Sequence, residues 1–212
     1  MGNIMAVWEL PVLAAVAVLD GMKLIYGISL WKGQDTSLSG IWKDKLLYGA
    51  AGLLVLAEIG VWALSGKQIA VVRYADLLYT YGILAAVDVR RRIVPDGILV
   101  CFFVGQMLLG AVSMVPEELF FLCLTGGILL VLFLAFAWIS KGKIGMGDAR
   151  LLGVTAMIAG WSYTLQLLVM AMALSFFYSV CLLVFCRKSV RTEFPFVPFL
   201  AVAMAVWMAG LL

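Results

Sequence analysis

Long apolar runs separated by short polar clusters dominate the chain. Four runs carry no charge over about the 20 residues needed to cross a hydrocarbon core: Gly97–Pro116, Leu119–Ser140, Thr164–Cys186 and Phe194–Leu212. Two more hold only embedded charges, Leu46–Leu64 with Glu58 and Ile69–Val87 with Arg73 and Asp76. Ile4–Leu30 is apolar apart from Glu9, Asp20 and Lys23. Its first basic residue is Lys23, so it lacks the basic start of a secretory signal and reads as a retained first span. Asp148–Trp161 is shorter, about 21 Å as a helix, and fits either a span with thinned ends or a re-entrant piece. The pattern predicts an all-α, polytopic membrane helical bundle of about eight transmembrane helices, six at the least. These form one integral-membrane domain over residues 1–212.

Composition agrees and narrows the chemistry. The 212 residues are 65% hydrophobic and 13% charged, with a mean hydropathy of +1.12, which excludes a soluble domain. The bilayer is therefore the first partner, and no nucleic-acid partner is expected. The chain has no histidine, which removes imidazole bases, His-based triads and His–metal sites together. Cys101, Cys123, Cys181 and Cys186 all fall in apolar runs, and no CxxC occurs. They read as small hydrophobes, so neither a metal nor a cofactor is expected. Catalysis would have to rest on carboxylates, lysines, hydroxyls or thiols.

Loop charge sets the orientation. If 148–161 spans, one side receives Lys32, Lys43 and Lys45, then Arg90, Arg91 and Arg92, then Lys141 and Lys143, then Arg187, Lys188 and Arg191. The other side receives Lys67 and the acidic pair Glu117 and Glu118. Eleven basic residues against one is a strong positive-inside signal. A re-entrant 148–161 would move Arg187, Lys188 and Arg191 across, so spanning is favoured, with both termini external. On this map Asp88, closing LAAVDVRRRIVPDG, and Asp148, in KIGMGDARLLG, reach the same cytoplasmic rim from sixty residues apart.

Each aspartate has a structural explanation when taken alone. Asp148 follows Gly145-Met146-Gly147 at a helix start, where its carboxylate can cap free backbone N–H groups. Asp88 lies at a helix C-terminus, where the macrodipole disfavours an anion, although Arg90–Arg92 could compensate. Together, two carboxylates at one rim suit aspartyl proteolysis. Close carboxylates cannot both ionise cheaply, so they share a proton and act as acid and base. Gly145 and Gly147 would let the backbone approach a substrate closely and would place Asp148 at a tight bend.

DVRRRIVPD, GMGDARLLG and the late FPFVPF together resemble the type IV prepilin peptidase family, the GxGD aspartyl proteases of bacterial membranes. The matching residues are Asp88 with Ile93, Pro95 and Asp96, then Gly145, Gly147 and Asp148, then Pro195, Phe196, Pro198 and Phe199. Val94 is inserted, Arg150 stands where lysine is usual, and Val197 replaces a usual small residue. The resemblance implies a multi-pass inner-membrane leader peptidase with Asp88 and Asp148 as its catalytic pair. Gly145, Gly147, Pro95, Asp96 and Arg150 would position them. Its partner would be a prepilin-like precursor with a basic leader before an apolar helix, cut at the cytoplasmic face. Many members carry a zinc loop of two CxxC pairs associated with N-methylation. The corresponding loop, Trp31–Lys45, is short and has no cysteine, so the resemblance carries the peptidase without supporting the methyltransferase.

Other intramembrane charges are costly unless paired. Asp20–Lys23 and Arg73–Asp76 are spaced i, i+3 and could each pair on one helix face. Glu58 has no local partner. Gly49 and Gly52, and Gly126 and Gly127, would permit close helix packing. Two other functions compete: an ion-coupled transporter using the embedded acids as a relay, and a non-catalytic component of a pilus or secretion assembly. Presenilin-like proteases share GxGD, but their Tyr-Asp and Pro-Ala-Leu elements are missing. A Ser140/Lys141 dyad is weak because adjacent helical residues point apart.

Overall fold

A computed structural model describes residues 2–32, 56, 60, 62–63, 68–141, 145–185 and 195–209. Among these residues the chain forms seven helices: α1 Gly2–Lys32, α2 Ile69–Arg91, α3 Asp96–Ser113, α4 Pro116–Ile139, α5 Met146–Ala159, α6 Trp161–Phe185 and α7 Val197–Ala209. They fall on seven of the eight expected spans. The eighth, 46–64, with Glu58, Gly49 and Gly52, lies outside the described residues apart from positions 56, 60, 62 and 63. So do the loops bearing Lys43, Lys45, Lys67, Lys143, Arg187, Lys188 and Arg191. Among the described residues, five helices hold stretches long and apolar enough to cross a membrane: Pro11–Trp31, Ile69–Arg91, Asp96–Ser113, Pro116–Ile139 and Trp161–Val184. The chain is a polytopic membrane bundle.

The outermost helices show what solvates them. α4 begins with Pro116 in its first turn, beside Glu117 and Glu118, where proline needs no N–H partner and acids complement the dipole. Beyond that turn it buries only Gly126 and Ala137. Phe120, Phe121, Val131, Phe136 and Trp138 on α4, and Val169, Phe176, Phe177 and Val184 on α6, are exposed. Water would not tolerate apolar faces of this extent, whereas lipid does.

α5 is the short element, 14 residues. It runs antiparallel along α4, and glycines set how close the two come. A Cβ at Gly126 would fall 2.3 Å from the Met157 Cα, and one at Gly153 would fall 2.7 Å from the Leu130 Cα. Gly127 does not share this role, since a Cβ there would meet nothing within 4 Å. Successive helical residues point about 100° apart, so only one of the two can face α5. Gly160, at φ +93°, ends α5 in a conformation that side-chain-bearing residues rarely adopt. The chain passes there directly into α6.

α2 is the central helix, packing on α7, α1 and α3. Its buried residues Leu77, Tyr81 and Leu84 join Phe102 of α3, Leu151 of α5, Leu167 of α6 and Leu200 of α7 in the main core. α1 is fastened to this core by charge. Lys23 and Asp20, both buried, form the expected i, i+3 pair. Lys23 also pairs with Asp76 of α2 and donates to Thr80 Oγ1 at 2.9 Å. The expected Arg73–Asp76 pair does not form. Gln106 Nε2 donates to Asp76 Oδ2 at 2.7 Å, and Arg73 Nε donates to Gln106 Oε1 at 3.4 Å. The two charges are thus linked through an amide, and Lys23 takes the place that spacing alone would give to Arg73. Arg73 also reaches Ile158 O of α5 at 3.2 Å, a cation at a helix C-terminus.

Candidate active site

The three motif segments, far apart in sequence, meet at one end of the bundle. Asp88 lies in the last turn of α2, buried at 6% exposure. Its Oδ2 accepts a hydrogen bond from the Val197 amide at 3.0 Å, with the Phe196 amide beside it. Those amides begin α7, where the first N–H groups of a helix have no internal acceptor. A carboxylate disfavoured at the C-terminus of its own helix is therefore stabilised by the N-terminus of another. Arg92 lies near enough to act on the carboxylate by charge, but the positioning bond comes from backbone.

Arg92 closes α2 in the left-handed conformation (φ 54°, ψ 39°), its N–H donating to the Asp88 carbonyl at 2.8 Å. The chain then runs without regular structure to Pro95, itself extended, whose carbonyl accepts the first bonds of α3 from Ile98 (3.1 Å) and Leu99 (3.4 Å). Asp96 occupies the first turn of α3, an acid at a positive helix end.

The second segment docks on this turn. A Cβ at Gly147 would fall 2.9 Å from the Val94 Cβ, so glycine is needed for the contact and the inserted Val94 supplies its partner. Arg150 Nη1 donates to both Asp96 oxygens, at 2.6 and 2.7 Å. This pair is solvent-accessible on both sides and contributes little to stability, about 0–1 kcal/mol. Its bonds do fix one segment against the other.

Asp148 lies in the first turn of α5, partly buried. It is not the capping residue: Gly145 is the N-cap, with no side-chain cap bond. A Cβ at Gly145 would stand 2.8 Å from Asp148 Oδ2, so the missing side chain makes room for the carboxylate. Gly145 has ordinary extended backbone (φ −63°, ψ 125°). The two glycines therefore serve close internal contacts, with Asp148 and with Val94, in place of the expected tight bend. Burial acts first on the Asp148 carboxyl and the Asp88 charge, within range of it, second; among the described residues no donor bonds the Asp148 carboxylate.

Of the residues singled out from sequence, Asp88, Pro95, Asp96, Gly145, Gly147, Asp148 and Arg150 all lie in this one cluster. Sequence reasoning missed the Val197 amide, which as a backbone donor leaves no trace in residue type. It also missed Tyr81, whose hydroxyl meets Thr155 of α5 at 2.7 Å inside the core. The Ser140 hydroxyl donates to Ala137 O at 2.8 Å, a local bond within its own helix end. Among the described residues no group of three metal-ligating side chains occurs.

The family model described as the type IV leader peptidase family matches residues 77–184, about half of the chain and including both aspartates. No curated protein and no solved structure matches.

Proposed function

Since the chain belongs to the type IV leader peptidase family, we propose that it is a membrane-embedded aspartyl endopeptidase whose acid–base pair is Asp88 and Asp148. Its substrates are prepilin-like precursors, from which it removes the short basic leader. The observation that carries this reading is the pairing of unlike carboxylates. Asp88 is buried and accepts backbone N–H bonds, whereas Asp148, partly buried and within range of the Asp88 charge, has no donor of its own among the described residues. Such a pair holds one proton between its members.

The ionised carboxylate takes a proton from water as the water oxygen bonds to the scissile carbonyl carbon. The protonated carboxylate gives its proton to the carbonyl oxygen. Collapse of the gem-diol intermediate breaks the C–N bond as the protonated carboxylate gives its proton to the amine nitrogen and the other carboxylate takes one from a gem-diol hydroxyl, so the pair again holds one proton. Arg90–Arg92 adjoin Asp88, and Lys141 follows the end of α4 ahead of Asp148, so the positive-inside rule puts this end at the cytoplasmic face. α1, fastened through Lys23, belongs to the same single domain. An ion relay gains no support from the buried charges. Asp20, Lys23, Asp76 and Arg73 sum to zero, with Lys23 bound directly to both acids and Arg73 joined through Gln106.

The test is leader removal from a prepilin-like precursor in membranes, read by mass spectrometry, for wild type, Asp88→Asn and Asp148→Asn. Loss in both variants with normal insertion is expected. Cleavage by either variant at the wild-type rate would overturn the assignment.

A further inference from the structure

Asp88 and Asp148 are carried by helices that rest chiefly on other partners. α5 lies along α4, while α2 packs on α7 and α1. The distance between the carboxylates therefore needs its own control. Seven residues before Asp88 on α2 stands Tyr81, and seven residues after Asp148 on α5 stands Thr155. A seven-residue step returns to the same helix face, two turns or about 10 Å along. Because one aspartate ends its helix and the other begins its own, the two steps run to the same depth.

There the Tyr81 Oη and Thr155 Oγ1 lie 2.7 Å apart, both residues at 0% exposure. Thr155 donates its own proton to the Leu151 carbonyl at 2.8 Å, so Tyr81 is the donor in the bond between them. Leu84 and Leu151, fully buried members of one core cluster, occupy the turn between this bond and the carboxylates. The bond thus lies in a dry layer, where no water can replace either hydroxyl. Tyrosine spans the interhelical gap with a stiff ring and only two torsions.

We propose that the Tyr81–Thr155 bond is the spacer that fixes how far Asp88 and Asp148 stand apart, making both positioning residues for leader cleavage. The inference rests on the reading of the aspartates given above, and its test separates the two. Full-length protein in lipid nanodiscs is assayed for kcat and KM with Tyr81→Phe, Thr155→Val, Thr155→Ser, the Tyr81→Phe/Thr155→Val double variant and Asp88→Asn.

Tyr81→Phe and Thr155→Val are each expected to lower kcat roughly 10–100-fold, the scale of a small misplacement of reacting groups, with KM little changed. Thr155→Ser keeps the hydroxyl and should cleave near the wild-type rate. The double variant should fall no further than the singles, because both remove the same bond. A role in packing alone gives the opposite ranking, with isosteric valine tolerated and the smaller serine impaired. If Tyr81→Phe does not accumulate, the two Thr155 variants decide by that ranking. Wild-type kcat in Thr155→Val beside inactive Asp88→Asn overturns the spacer and leaves the catalytic pair standing. An active Asp88→Asn overturns the pair, and the spacer with it.

Discussion

Replacing Lys23 with methionine removes one ammonium and keeps a side chain of similar length, so the change isolates charge from packing. Lys23 is buried at 1% exposure against Asp20 at 0% and Asp76 at 1%, and it pairs with both while donating to Thr80. Asp76 retains Gln106 and Thr80 as donors, at 2.7 and 3.2 Å, but Lys23 is the cation that both acids share. Breaking a buried ion pair by deleting one partner costs about 3–5 kcal/mol, mostly because the remaining charge is stranded. That is a large share of the 5–15 kcal/mol by which folded domains are typically stable. The assay is thermal or denaturant unfolding of the purified protein in one detergent. A second variant, Lys23→Met with Asp76→Asn, removes one of the two carboxylates that the first one strands and should recover part of the loss. A Lys23→Met protein as stable as wild type would refute the reasoning. So would a double variant no more stable than the single.

The two adjacent glycines of α4 should behave oppositely in unfolding assays. Gly126→Leu drives a side chain into the α5 backbone and should destabilise strongly, whereas Gly127→Ala, with open space around its new Cβ, should be close to neutral. At the docked turn, Gly147→Ala places a Cβ 2.9 Å from the Val94 Cβ, so leader cleavage should fall. Adding Val94→Gly should restore part of it, and absence of any rescue would count against the contact. Arg150→Gln should change stability by no more than about 1 kcal/mol, because the Asp96–Arg150 pair is exposed. Double-mutant cycles with Asp96→Asn would measure that coupling.

Much of the fold was legible because a bilayer enforces simple rules. Charge-free runs marked α3, α4 and α6, and the i, i+3 spacing of Asp20 and Lys23 anticipated their pair. Spacing failed at Arg73–Asp76. A buried acid takes whichever cation the tertiary structure delivers, and α1 brings Lys23 from 53 positions away. The motif residues from Asp88 to Arg150 proved to be neighbours, yet the reasons for the two glycines were not visible. Gly147 needs Val94, and Gly145 needs the Asp148 carboxylate; both are contacts across the fold or its turn. The difficulty at Asp88, an anion at a helix C-terminus, was plain in the sequence. Its solution was not, because the Val197 amide is a donor that any non-proline residue would offer. Tyr81 and Thr155 sit at ordinary apolar-face positions, and only the seven-residue offset from each aspartate distinguishes them in hindsight.

The most direct test of the central claim is a double-mutant cycle on the pair itself. The turnover number for leader removal would be measured at saturating precursor for wild type, Asp88→Asn, Asp148→Asn and the double variant, all with matched thermal stability. Residues that act as one catalytic unit are strongly non-additive. Each single variant should abolish turnover to the level of the double, which then loses nothing further. Substantial turnover in either single variant, or losses that multiply in the double, would contradict a shared acid–base pair.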